Sequence, residues 1–230
     1  MSPFNQLQHL VFFEVLAETE ENTAAWNNTQ AGLIVLRMFD TWWDFGAASL
    51  RENARGIRNI RTSVQLLEQQ NPSRGILLSL MDSIERARHP DLSNILPLIL
   101  AYGDSLASDS QWRLAGDVYL TALRYSDSEP LPQPARVQMQ LGHCQRMMGD
   151  YDEAANSYAE AGQIAAAMGD LEGMLLARIG DAKVAIDRGR LREARALLDD
   201  CIAQTEAVDS LISVRSLAIE TRAGLADLSG

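Results

Sequence analysis

Lysine is nearly absent from this chain: Lys183 is the only one in 230 residues. Cysteine is almost as scarce. Two cysteines in this length argue against a disulfide scaffold, and Cys144 and Cys201, among apolar and small neighbours, read as buried thiols. The three histidines, His9, His89 and His143, stand far apart, and no HxxxH or Cys/His spacing marks a metal site. His143 and Cys144 are adjacent, but neighbouring helical residues point about 100° apart, which spoils them as a base and nucleophile. GxGxxG, the P-loop and Gly-x-Ser-x-Gly are all missing. The N-terminus lacks a basic leader, and Glu14 and Glu18 interrupt the apolar run Leu10–Leu16, so neither a signal peptide nor a membrane span fits. These absences predict a cytoplasmic protein that is not an enzyme and uses no cofactor.

Acidic residues outnumber basic ones by 31 to 20, for a net charge of −11. The excess is uneven, with 10 acidic against 8 basic in residues 1–90 and 21 against 12 in residues 91–230. A surface of that sign repels phosphate backbones and argues against nucleic-acid partners. Few β-branched residues alternate, while Ala, Leu, Arg, Glu and Gln dominate. Apolar residues recur at three- and four-residue spacing nearly throughout, the helical period. The fold class expected is all-α.

Punctuation divides the chain into helices. Ser2-Pro3 opens one that runs to about Thr19. A second covers about Asn22–Phe45 and is broken by Gly46. A third covers about Ala48–Gln70 and stops at Asn71-Pro72, because the residue before proline is pushed out of helical geometry. A fourth runs from Pro72 to about Arg88, before His89-Pro90. From Asp91 helices come in pairs: Asp91–Ala107 with Ser110–Tyr125, Ala135–Met148 with Tyr151–Met168, and Leu171–Arg188 with Leu191–Ala207. Asp109 or Ser110 would cap the second helix of the first pair. The three-proline stretch Ser126–Pro134 separates the first two pairs. A last helix, about Asp209–Leu228, has no partner. The expected division is an N-terminal helical region at 1–90 and a repeat array at 91–230.

Gly149-Asp150-Tyr151-Asp152-Glu153-Ala154-Ala155 returns 40 residues later as Gly189-Arg190-Leu191-Arg192-Glu193-Ala194-Arg195. Upstream, Trp112, Ala115, Tyr119 and Ala122 align with Tyr151, Ala154, Tyr158 and Ala161. A fixed period of this size marks stacked supersecondary units that bury their apolar faces on one another. Gly149 and Gly189 permit tight turns, Ala154 and Ala194 allow close helix packing, and Leu141-Gly142 supplies a large-then-small step.

Leu141-Gly142, Ala154, Tyr158 and Ala161 together resemble the tetratricopeptide repeat. Tyr102-Gly103, Ala115, Tyr119 and Ala122 follow the same pattern upstream, and Ala194, Leu198 and Cys201 keep part of it downstream. Gln138 and Gln145 replace the family's first-helix Trp and Tyr, and its closing proline is missing. The period is about six residues longer than the usual 34, similar to the long-repeat variety. The resemblance covers residues 91–207. It implies a right-handed α-solenoid of antiparallel helix pairs with an N-terminal helical cap, whose concave face binds peptides.

Mapped by that resemblance, the groove would present Leu100, Asp104, Arg136, Met139, His143, Arg146, Ile179, Lys183 and Ile186. Arg136, Arg146 and Lys183 would form a positive island for an acidic peptide. No asparagine stands where the family's carboxylate-clamp subset needs one. Arg51, Arg55, Arg58 and Arg61 form a basic stripe, readable as a docking strip or as a solvated face. Trp26, Trp42, Trp43, Phe12, Phe13, Phe39 and Phe45 read as the core of the cap or as a dimer face. On the last helix, Leu211, Val214, Ala218, Leu225 and Leu228 face inward, while Val208, Ile212, Ile219 and Ala226 face away. That second stripe predicts either further repeats past Gly230 or burial against a second copy. The implied function is a protein- or peptide-binding scaffold. The alternatives are a peptide-sensing regulatory module or an accessory subunit of an enzyme complex.

Overall fold

A computed structural model of the chain describes residues 8–87, 92–126, 131, 133–206 and 208–228, without the side chains of Arg51 and 226–228. The described residues form eleven α-helices and one 3₁₀ turn, with no strand among them. None of these helices is long and apolar enough to cross a membrane. The chain is all-α, and its helices pack successively on their neighbours. It divides into two compact units, Met1–Leu131 and Pro132–Gly230.

The first unit contains α1 (Leu10–Glu18), α2 (Ala24–Glu52), α3 (Ala54–Gln65), α4 (Pro72–Arg86), α5 (Leu96–Ser108) and α6 (Trp112–Tyr125). The expected start at Ser2-Pro3 lies outside the described residues. The first described helix starts at Leu10, after His9, whose left-handed backbone, φ 59°, cannot continue a right-handed helix. Gly46 bends α2 (φ 75°, ψ 179°) where the sequence placed a break, yet helix resumes to Glu52. The expected third helix is interrupted at Asn53, whose side chain caps α3 by accepting the Gly56 N–H. Asn71 likewise accepts the Ser73 N–H, with Pro72 opening α4.

Helix α1 packs on α2 and α6, α2 on α3 and α4, and α4 on α5. The pair α5–α6 packs within the unit Met1–Leu131. Phe12, Phe39, Trp42, Tyr102 and Tyr119 form much of its core. Trp43 meets Tyr125 edge-on, whereas Phe45 is exposed. The aromatics thus divide between interior and surface.

The second unit contains α7 (Pro134–Met148), α8 (Tyr151–Ala167), α9 (Leu171–Asp187), α10 (Leu191–Thr205), a 3₁₀ turn (Asp209–Leu211) and α11 (Ile212–Leu228). Each helix packs on the next, and α9 also touches α7 and α11. Three connections share one geometry. Gly149, Gly169 and Gly189 adopt positive φ. Their N–H groups donate to Arg146, Ala166 and Ile186, and the following N–H groups reach back to Gln145, Ala165 and Ala185. This paired closure satisfies carbonyls left open at a helix end and selects glycine. The α5–α6 turn in the first unit uses the same bonds, Ser110 to Ala107 and Gln111 to Leu106, but puts Ser110 at φ 59°. The expected Asp109 or Ser110 cap is replaced by Gln111, which makes no side-chain capping bond.

Tyr158 of α8 is held between glycines of two helices. A Cβ on Gly142 of α7 would come within 3.2 Å of the Tyr158 ring and of the Ala154 carbonyl oxygen, and one on Gly180 of α9 would overlap the ring. Leu175, Ile179, Leu198, Leu211, Val214 and Leu225 build the remaining core with small residues, Cys201 among them.

Candidate functional site

Helices α7 and α9 lie side by side because α8 returns the chain after one tight turn at each end. Between them opens a cavity of about 710 Å³, which Leu217 of α11 also lines. That volume is in the range of small-ligand sites. Met139, Leu176 and Ile179 make much of the wall apolar, Arg136 and Lys183 bring positive charge, and His143 adds an imidazole. Asp170 and Glu172 stand at the start of α9, and Asp170 is partly committed to capping through the Gly173 N–H at 2.9 Å.

Of the groove residues expected from sequence, Arg136, Met139, His143, Ile179 and Lys183 line this cavity. Ile179 also belongs to the core, and Ile186 packs against that core. Arg146 is committed elsewhere: its Nη1 donates to Asp187 at 2.7 Å. Asp104 and Leu100 lie on α5 in the first unit, where the Tyr119 hydroxyl donates to Asp104 at 2.7 Å. Arg136 donates to Gln133 across a long 3.4 Å contact.

Crowding of like charge marks the cavity. Burial lowers the His143 pKa, and the charges of Arg146 and Lys183 lower it further. Burial and then the Arg146 guanidinium also lower that of Lys183. Lys183 has no hydrogen-bond or ion-pair partner among the described residues.

The other expected sites are dispersed. Arg61 bridges to Asp82 at 2.8 Å and Glu85 at 2.7 Å, while Arg55 and Arg58 are exposed and the Arg51 side chain is outside the described residues. On α11, Leu211, Val214, Ala218 and Leu225 are buried, and Ile212 and Ile219 are 53% and 43% exposed. Val208 does not join the outward stripe, because the 3₁₀ turn places it against its own unit's core. The side chains of Ala226 and Leu228 lie outside the description.

A second polar cluster was not expected. His9, nearly inaccessible, sits between Asp117 of α6, at 2.6 Å from Nδ1, and Asp40 of α2, at 3.1 Å from Nε2. The Tyr125 hydroxyl donates to the other Asp40 oxygen at 3.1 Å. The Gln8 amide, oriented with its nitrogen toward Asp40, donates at 2.6 and 2.9 Å. Burial opposes a charge on His9, but hydrogen bonds to Asp117 and Asp40 and their charges outweigh it and raise its pKa to about 9. An imidazolium donates from both nitrogens and matches two carboxylate acceptors. The one local signal was Asp40, an acid within the apolar run Met38-Phe39-Asp40-Thr41-Trp42.

No protein-family model, curated protein or solved structure matches the chain.

Proposed function

We propose that the chain is a non-catalytic protein- or peptide-binding scaffold of the cytoplasm. In this reading the second unit stacks tetratricopeptide-like helix pairs as part of a right-handed α-solenoid. One observation supports it most: five side chains assigned to a groove by the tetratricopeptide resemblance line a single cavity, and its lysine has no partner among the described residues. An acidic peptide segment fits that arrangement, since its carboxylate would satisfy Lys183 by a charge-assisted bond and its apolar side chains would cover Met139 and Leu176. Arg146 supports the site through Asp187 and is left intact in a test.

Affinity capture on the native chain, compared with Arg136→Glu and Lys183→Glu together, tests the reading. A partner lost from the double variant at unchanged circular dichroism, with affinity that weakens in salt, supports it. Capture unaffected by the double variant moves the site out of this cavity. Association of two copies through α11 is a subsidiary proposal. Sedimentation should show Ile212→Glu with Ile219→Glu shifting the chain toward monomer, and a clean monomer for the parent at high concentration refutes it.

A further inference from the structure

The amine of Lys183 is the only primary amine among the described residues lining this cavity, and it is half-buried, unlike that of a surface lysine. It stands in the C-terminal third of α9 and lines the cavity together with Met139, Ile179 and Leu217. The neighbouring carboxylate that could pair with it, Asp187 one helical turn on, is taken by Arg146. The charge that bears on the amine is that of Arg146. Desolvation and adjacent positive charge both enlarge the share of uncharged amine in equilibrium with the ammonium, and the uncharged form is the one that attacks carbonyl carbon.

We infer that Lys183 is a covalent capture site for aldehydes with an apolar body, binding them reversibly as an imine in the α7–α9 cavity. The ammonium first loses a proton to water at the open mouth. The nitrogen lone pair then attacks the carbonyl carbon, and the π electrons pass to oxygen, which receives a proton as the nitrogen gives one up. Protonation of the resulting hydroxyl expels water as the N=C bond forms. No electrons are gained or lost, and hydrolysis reverses each step. The inference stands apart from the peptide reading, because it needs the cavity but no protein partner.

Because the chain has a single lysine, peptide mass need only separate its label from that of the N-terminal amine. The native 230-residue chain is incubated with benzaldehyde near neutral pH, reduced with borohydride, and mapped by peptide mass. Lys183 should be labelled several-fold faster in the native chain than in the same chain unfolded in urea, where the desolvation and the Arg146 charge that favour the neutral amine are gone. Arg146→Gln removes the nearby positive charge and releases Asp187, so it should slow native labelling several-fold toward the unfolded rate. Native labelling no faster than unfolded labelling overturns the proposal. So does an Arg146→Gln chain, folded by circular dichroism, that labels as fast as the parent.

Discussion

His9 and Asp117 are 108 residues apart in sequence and 2.6 Å apart in space, imidazole Nδ1 to carboxylate Oδ2. That contact joins the start of α1 to α6, and Asp40 on the other ring nitrogen joins both to α2. The left-handed backbone of His9 aims the ring inward between these helices. A strained φ in a residue with two charged partners is retained where surrounding contacts outweigh its cost.

Removing the imidazole leaves two carboxylates facing each other with little solvent. His9→Ala is expected to destabilise the chain by about 3–5 kcal/mol, as when one member of a buried ion pair is deleted. Urea unfolding followed by circular dichroism measures this. A loss below about 1 kcal/mol refutes the charged bridge.

The same cluster sets a pH dependence. The folded-state pKa of His9 is raised to about 9 from an ordinary 6.5, so the folded state holds the proton more tightly than the unfolded state. Its contribution, about 3 kcal/mol by linkage, is fully present below pH 6.5 and is lost as pH rises through 9. Unfolding free energy should therefore fall between pH 6.5 and 9. His9→Gln should flatten that slope, and an equally steep profile in the variant assigns it to other groups.

Tyr158 makes two glycines unequal. Gly180→Ala places a methyl group inside the ring's contact distance and should destabilise by about 1–3 kcal/mol. Gly142→Ala meets its neighbours at 3.2 Å and gains helix propensity, so its effect should stay within about 1 kcal/mol. Gly142→Leu has no room and should cost more than either alanine variant. Melting temperatures that rank Gly142→Ala below Gly180→Ala contradict the observed packing.

Ser110 occupies a turn position filled by glycine in the three equivalent connections of the second unit. Its left-handed backbone carries a steric cost that glycine avoids. Ser110→Gly should raise stability by about 1 kcal/mol, readable as a higher melting temperature. Ser110→Val, β-branched at positive φ, should lower it.

Most helix positions could be read from sequence because their signals are local. Pro72 follows the capping Asn71, glycines at 149 and 189 end helices in left-handed geometry, and the 3.6-residue apolar period marks the buried faces. Met139, His143, Ile179 and Lys183, grouped in advance by the tetratricopeptide resemblance, line one cavity. Helix interruptions at His9 and Asn53 were less legible, because each depends on a side-chain contact or backbone angle outside the periodic pattern.

The amino-acid sequence by itself determined the helical class and the tight glycine turns, both properties of segments shorter than about 40 residues. Only the tertiary structure decided which charges remain unpartnered. Arg146 and Lys183 look alike in sequence, yet Asp187 pairs with the first and leaves the second exposed to its repulsion. His9 offered no motif at all, and its role arises from carboxylates on two distant helices. The reason is physical: helix propensity and turn geometry act through neighbours along the backbone, whereas charge pairing and desolvation depend on distances that folding alone creates.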